Sequence, residues 1–304
     1  MNAFRLTLLT SAASALALMM AADNAAAQNP PPPDHPTVTV HGQTLNPRTT
    51  LSRNMGTRED QETQFPPHKI IGNIYYVGTR TLSSFLIVTP QGNILIDSTY
   101  ERNVPVIQKS VEQLGFKFAD TKILLGNHAH GDHMEGDALV KQLTGAQVVH
   151  MAEDIPALKE IKPGGKEHPI DRVIHDGDKV TLGNVTLTAH LTAGHTHGCT
   201  AYTTTVQDGG RNYNVMFGCS LRPAVTIPPN VAEEFTRSFK TVRTLPCDVQ
   251  LGDHGAQYNM QEKYAKLKPG APNPFVSPST CFYEADVEEA MFHAILDEQK
   301  AAAR

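Results

Sequence analysis

The sequence predicts a mixed α/β fold in which two packed sheets are covered by helices on both outer faces. Short runs of β-branched and aliphatic residues, typical of strands, recur between Gly, Pro and Asn turns. Amphipathic helical segments separate many of these runs. The alternation occurs in two similar rounds, at about residues 70–190 and 195–300. Two sheets with helices on their outer faces account for it.

Each element follows from a local pattern. Predicted strands are bounded by turns such as Gly72–Asn73, and they lie at residues 70–71, 74–77, 84–88, 93–96, 122–125, 148–149, 173–174, 179–182, 185–189, 200–206, 213–217 and 249–251. Predicted helices have apolar residues at helical spacing, and they lie at residues 104–114, 134–143, 152–160, 231–245, 260–267 and 284–304.

Residues 1–27 are typical of a secretory signal peptide. Positive charge in Met1–Arg5 precedes an apolar run over Leu6–Ala22, and Ala25–Ala27 forms a cleavage site. We therefore expect export to the periplasm. No later apolar run reaches membrane-spanning length, and no cysteine lies near the cut for a lipid. A membrane anchor is not expected.

The rest of the chain divides into two predicted regions. Residues 28–67 begin with a proline run and are polar and turn-rich, which predicts an extended N-terminal arm. Residues 68–304 form the predicted domain. The chain has 304 residues and a net charge of −5, and it shows no basic stripe, so a nucleic-acid partner is not expected.

The stretch Leu124–His133 contains three histidines and one aspartate within six residues, between a predicted strand and a predicted helix. His128 and His130 are two residues apart, so an extended backbone points both imidazoles to one side. Asp132 and His133 can face a second centre. Imidazole and carboxylate groups are ligands that zinc prefers. The alternative interpretation is a polar loop with solvated histidines.

His195 and His254 complete this set. Each lies directly after a predicted strand and next to glycine, where a rigid sheet can position a metal ligand. Alone, each is more typical of an ordinary histidine, but with the first motif they make two sets of three ligands. The other histidines, His150 and His168 among them, show no paired spacing, and we interpret them as structural or exposed.

The H-x-H-x-D-H run, the G-H-T-x-G loop and the late G-D-H-G resemble the metallo-β-lactamase superfamily, and in detail its subclass B3, over about residues 70–296. The resemblance implies an αββα sandwich with metals between the sheet edges. It also implies a supporting carboxylate at Asp97. The two zinc sites implied by position are His128, His130 and His195 for the first, and Asp132, His133 and His254 for the second.

Two positions indicate subclass B3 within the family. His133 stands where subclass B1 enzymes have a non-ligand, and Ser220 falls where they have a ligating cysteine. Cys219 is one place early, so we interpret it as a non-ligand. Other hydrolases of the superfamily carry a bridging aspartate near this strand end. Gly218–Pro223 contains no carboxylate, which argues against a lactonase or a glyoxalase-II-like thioesterase.

The resemblance implies zinc-dependent hydrolysis of the β-lactam amide bond of penicillins, cephalosporins and carbapenems. It implies two Zn²⁺ ions per chain holding a hydroxide, which Asp132 orients for catalysis. The predicted partner is a small molecule, and the predicted state is a monomer. Two alternatives stay open: another dinuclear zinc hydrolase acting on a lactone or thioester, and an exported metal-binding protein without turnover. Six ligands with an open place at each metal favour catalysis, because structural zinc sites are closed.

Ser220 and Arg222 are predicted to bind the carboxylate that common β-lactams share. They alternate along a predicted strand end, so both side chains can point to the same side. The Arg222 guanidinium can donate two hydrogen bonds to a carboxylate. The alternative is an arginine that faces outward on a rim.

The four cysteines are expected to form disulfides in an oxidising compartment, where they allow three pairings. The predicted hairpin turn at Asp208–Arg211 places Cys199 within one residue of the position opposite Cys219. The alternative is two reduced thiols beside the metals. Cys247 and Cys281 remain, and subclass B3 enzymes resemble this chain in having a bridge at matching positions.

Overall fold

The computed structural model describes residues 32–304, and the predicted signal peptide lies outside the described residues. The strands of this range form a seven-stranded sheet, a five-stranded sheet and a two-stranded hairpin. None of the helices within residues 32–304 has the length and apolar character needed to span a membrane.

The segment before the main sheets contains strands and helices, so the prediction of an extended arm over residues 28–67 is wrong from Val38 onward. It contains β1 (Val38–Val40), β2 (Gln43–Leu45), α1 (Pro47–Met55) and α2 (Arg58–Glu62). Capping boxes at Asn46 and Thr57 begin the two helices, because each residue exchanges hydrogen bonds with the residue three positions later. Arg53 then ties α1 to the last helix through Glu284 at 2.7 Å.

The first main sheet carries the central loop of the site. In spatial order it contains β3 (His68–Ile71), β4 (Ile74–Tyr76), β5 (Phe85–Thr89), β6 (Gly92–Ile96), β7 (Thr121–Leu125), β8 (Gln147–Met151) and β9 (Arg172–Ile174). Neighbours from β3 to β6 are antiparallel, and those from β6 to β9 are parallel. The carboxyl ends of the parallel strands therefore meet at one edge.

The second sheet contains, in order, β10 (Lys179–Leu182), β11 (Val185–Leu191), β12 (Thr200–Asp208), β13 (Arg211–Gly218) and β14 (Val249–Gly252). Its pairs are antiparallel except β13 and β14, which are parallel. The sheets divide between β9 and β10, so the boundary near residue 190 predicted from the sequence is wrong. The alternation of strand and helix patterns predicts where strands lie, but it does not show which sheet each strand joins.

Helices cover both outer faces, which confirms the predicted αββα fold. After α2 they are α3 (Val104–Gln113), α4 (Gly131–Met134), α5 (Asp137–Thr144), α6 (Ile155–Leu158), α7 (Pro229–Thr244), α8 (Met260–Ala265) and α9 (Tyr283–Ala302). Between the sheets, the rings of Phe85 and Phe217 lie 5.2 Å apart. Helices α3 and α5 pack on the first sheet through residues such as Ile107. On the second sheet, Phe235 of α7 meets Phe292 of α9 at 5.5 Å.

Both predicted disulfides are present. Cys199–Cys219 has a Cα–Cα distance of 5.8 Å, and Cys247–Cys281 has one of 6.1 Å. The ladder of β12 and β13 runs from Asp208 opposite Arg211 to Tyr202 opposite Phe217, which is the register that the turn predicted. The first bridge lies just beyond the last paired residues, so it closes the open end of the hairpin.

Candidate metal centre

The predicted ligands lie at strand ends from both sheets. The ligand loop, residues 126–133, follows β7 of the first sheet, whereas His195 follows β11 and His254 follows β14 of the second. Loops held by rigid strands are suited to fixing metal ligands in space. The packing of the two sheets therefore brings together residues that are more than a hundred positions apart in sequence.

His128, His130 and His195 form the first cluster. Nε2 of His128 and Nδ1 of His130 are 3.1 Å apart, and the ring of His195 lies 4.8 and 4.7 Å from the rings of His128 and His130. Nδ1 of His195 is 2.9 Å from the carbonyl oxygen of Arg222. Because a carbonyl only accepts, this Nδ1 carries the hydrogen, and Nε2 keeps its lone pair for a metal.

Asp132, His133 and His254 form the second cluster. Oδ2 of Asp132 lies 3.2 Å from Nε2 of His133 and 3.8 Å from Nε2 of His254. The rings of His128 and His133 are 4.2 Å apart, so the two clusters adjoin. Burial acts to raise the pKa of Asp132, but the nearby histidines hold it well below its usual value. This carboxyl is therefore charged.

Asp97, where the resemblance implies a supporting carboxylate, contacts the ligand loop. Its Oδ2 is 3.4 Å from Nδ1 of His133, and its Oδ1 accepts a hydrogen bond of 2.9 Å from the backbone N–H of Asn127. Contacts of this kind fix the orientation of an imidazole whose other nitrogen binds a metal.

The residues present fit zinc. Nε2 of His133 faces Asp132 but is buried without a hydrogen-bond partner, which is costly unless another group satisfies it. Burial and neighbouring positive charge hold the pKa values of His128 and His195 well below the usual range. Neutral imidazoles beside a carboxylate are the donor set that zinc takes in proteins.

The sequence analysis missed two residues that contact the first cluster, Asp253 and Asp154. Asp253 could have been found, because it stands inside the G-D-H-G motif. Oδ2 of Asp253 lies 3.3 Å from Nδ1 of His128 and accepts a hydrogen bond of 2.8 Å from the N–H of Ser220. Asp154 accepts hydrogen bonds from loops on both sides of the first cluster. No sequence pattern singles it out, because its partners lie on other elements.

The structure corrects the placement of Ser220 and Arg222. β13 ends at Gly218, so the two residues do not alternate along a strand. Side chains of Asp253 and His195 bind the backbone of Ser220 and Arg222 instead of a neighbouring strand. Ser220 is buried and Arg222 is half-buried. The pKa of His195 is lowered by burial, by His130 and by Arg222, so the guanidinium lies near the first cluster.

An αββα fold with two adjoining histidine-rich clusters at the sheet edges defines a metal-dependent hydrolase. A family model described as the metallo-β-lactamase superfamily matches residues 77–208. This chain belongs to that superfamily, whose hydrolases depend on zinc.

Two solved structures illustrate the similarity. The native metallo-β-lactamase FEZ-1 from Legionella gormanii is 39% identical, with a TM-score of 0.71 over 79% of this chain and 98% of that one. BJP-1, a subclass B3 metallo-β-lactamase of Bradyrhizobium japonicum, is 38% identical, with a TM-score of 0.75 over 81% of this chain and 99% of its own.

Shorter matches connect the chain with two hydroxyacylglutathione hydrolases. A hydroxyacylglutathione hydrolase of Cereibacter sphaeroides is 37% identical over 82 residues, which is 27% of this chain and 28% of that protein. One of Rhodospirillum rubrum is 33% identical over 93 residues, 31% of this chain and 32% of that protein. The chain therefore matches less than a third of the length of either hydrolase.

Proposed function

We propose that this protein is a zinc-dependent β-lactamase that uses two zinc ions, one held by each cluster. The observation that carries the proposal is the second cluster, in which His133 joins Asp132 and His254, while Ser220 replaces a metal-binding side chain at the end of β13. The similarity to two metallo-β-lactamases over almost their whole length supports it.

When bound, zinc supplies Lewis-acid chemistry and lowers the pKa of water from ~15.7 towards ~7. The chain's own residues prepare the ligands. Nδ1 of His128 faces Oδ1 of Asn127 at 3.0 Å and the carboxylate of Asp253 at 3.3 Å. Asp97 faces Nδ1 of His133, and the Arg222 carbonyl accepts from Nδ1 of His195. Each partner leaves the opposite ring nitrogen directed into the site.

Asp132 is the proposed catalytic residue. Its carboxylate is charged and lies between the ring nitrogens of His133 and His254, and its side chain is 14% exposed. It is therefore positioned to accept a hydrogen bond from a water molecule at the border of the site and to orient it. A cavity of about 580 Å³ opens beside His130 and His195, and it has an apolar wall formed by residues such as Ile227 and Val231. A ring-containing substrate fits this combination of polar and apolar surface.

Arg222 is the proposed partner of the substrate carboxylate. Arg222→Ala is expected to raise KM by about 10-fold with little change in kcat, because a charged hydrogen bond of ~1.5 kcal/mol is lost from substrate and transition state alike. The backbone carbonyl that holds His195 remains. Steady-state kinetics with several β-lactams measure this effect. Arg237→Ala, on the exposed side of α7, is the control. An unchanged KM across these substrates would remove Arg222 from the site.

The second candidate is hydrolysis of a glutathione thioester, which the short matches to hydroxyacylglutathione hydrolases favour. The absence of a carboxylate over residues 218–223 weighs against it.

A parallel assay separates these two functions. Purified protein is given nitrocefin, a carbapenem and S-lactoylglutathione, with and without a chelator. We expect chelator-sensitive hydrolysis of the β-lactams and little of the thioester. The reverse preference would replace the proposed function with the second one.

We also propose export to the periplasm. Both disulfides suit that compartment, because such bridges persist where conditions are oxidising.

A further inference from the structure

A third cluster lies outside the two described above. Asp137 begins α5, His150 lies in β8 and His168 lies in the loop before β9. Their relative exposures are 0%, 0% and 7%. The sequence suggested no connection between the two histidines, which are 18 residues apart, and only the packing of three elements brings them together with the carboxylate.

The three facing atoms form a nearly equilateral triangle. Oδ2 of Asp137 is 3.2 Å from Nε2 of His150 and 3.1 Å from Nε2 of His168, and the two nitrogens are 3.3 Å apart. Zinc bonds of ~2.0–2.1 Å in tetrahedral geometry place neighbouring ligand atoms ~3.3 Å apart. The corresponding spacings in the first and second clusters run from 3.1 to 3.8 Å. The third triangle is therefore as compact as the sites that the family fold implies.

Hydrogen bonding alone accounts for this arrangement less well. If both Nε2 atoms donate to Oδ2, two N–H groups converge on one oxygen at 3.3 Å from each other. Oδ1 of Asp137 already accepts a hydrogen bond of 2.6 Å from Ser98 Oγ, so Oδ2 is the oxygen left to face the two rings. A cation in the triangle is contacted by all three atoms at once.

We propose that Asp137, His150 and His168 form a third zinc site, which stabilises the fold and takes no part in turnover. A surface cavity of about 570 Å³ borders His168, with Lys159, Glu160 and Glu167 among its lining residues. It provides a route by which the ion can reach the triangle. Asp137 and His150 have no exposed surface, so a substrate does not reach the ion.

The third site supports the ligand loop from behind. Asp137 holds Ser98, the neighbour of Asp97, and the His150 ring packs against Gly126, where an added Cβ would lie 2.6 Å from Nδ1. Binding of zinc here therefore fixes two residues that adjoin the described site. The inference does not depend on the proposed substrate, because the three residues lie outside both catalytic clusters.

Anomalous scattering at the zinc edge tests the site in wild-type crystals grown with zinc in molar excess. We expect a peak bonded to all three atoms, in addition to those at the two clusters. The proposal would be overturned if no anomalous peak lay among Asp137, His150 and His168. Zinc bound only at exposed histidines would overturn it as well. This measurement needs no variant and no substrate.

Metal content provides the matched comparison. His168→Gln should bind one zinc fewer per chain than wild type and unfold at a lower temperature, with a near-ultraviolet circular dichroism spectrum that confirms folding. His175→Gln changes an exposed histidine that follows β9, and it should keep the wild-type count. Equal zinc content in folded His168→Gln and wild type would contradict the site. If His168→Gln does not fold, the crystal measurement decides alone.

Discussion

His128→Ala is expected to lower kcat/KM for β-lactams by more than about 100-fold. Loss of a group that merely orients a metal ligand costs ~10–100-fold, and here the ligand itself is removed. His128 is central, because its ring lies within 4.8 Å of the rings of His130 and His195 and within 4.2 Å of that of His133. The variant should therefore lose the zinc of the first cluster and disturb the second. Steady-state kinetics with metal analysis measure both effects.

A graded series separates loss of the metal from loss of the fold. Asp253→Asn keeps every ligand but replaces the carboxylate that faces Nδ1 of His128, so its zinc affinity should fall by ~10–100-fold, less than in His128→Ala. His175→Ala, at an exposed position, should behave as wild type. Wild-type activity that survives extensive dialysis against a chelator would exclude the metal mechanism altogether.

The candidate ligands could be found in the sequence because they lie in short loops that follow strands, where His195 and His254 stand beside glycine. Such positions are fixed by local structure, so spacing alone indicated that His128 and His130 share one side. The pairing of Cys199 with Cys219 was predictable for the same reason, since one tight turn sets the hairpin register. The helices of residues 47–62 also had local signals, in the capping residues Asn46 and Thr57, which the polar composition of the segment obscured.

The other features depend on contacts between distant elements. Ser220 appeared to continue a strand, because nothing nearby in sequence reveals that Asp253 binds its backbone N–H. His150 and His168 carry no shared spacing, since their meeting depends on how β8 and the loop before β9 pack on α5. A sequence pattern describes one helix, strand or loop at a time. These contacts instead depend on how separate elements pack against each other.

Asp154 makes contacts of this kind that are expected to stabilise the fold. Its buried carboxylate accepts hydrogen bonds from the N–H of Ala129 at 2.8 Å, the hydroxyl of Thr196 at 2.8 Å and the N–H of Gly198 at 2.6 Å. Ala129 lies between His128 and His130, and Thr196 follows His195. One side chain therefore connects the loops that carry all three ligands of the first cluster.

Asp154→Ala is expected to lower the free energy of unfolding by about 4 kcal/mol. Hydrogen bonds to a charged group contribute ~1.5–3 kcal/mol each, and the variant leaves two buried N–H groups, those of Ala129 and Gly198, without an acceptor. Urea unfolding of the zinc-free protein measures this loss without the contribution of bound metal. Zinc affinity should fall as well, because the His195 loop is no longer tied to the ligand loop.

Two further variants decide whether this connection is the cause. Asp154→Asn keeps the shape and one acceptor oxygen, so its stability should lie between those of wild type and Asp154→Ala. Glu153→Ala removes the exposed neighbouring carboxylate, and its effect should stay within ~0.5 kcal/mol. If Asp154→Ala and Glu153→Ala unfold at the same urea concentration, the three hydrogen bonds do not stabilise the fold. In that case the positions of His128 and His195 must be set by their own strands alone.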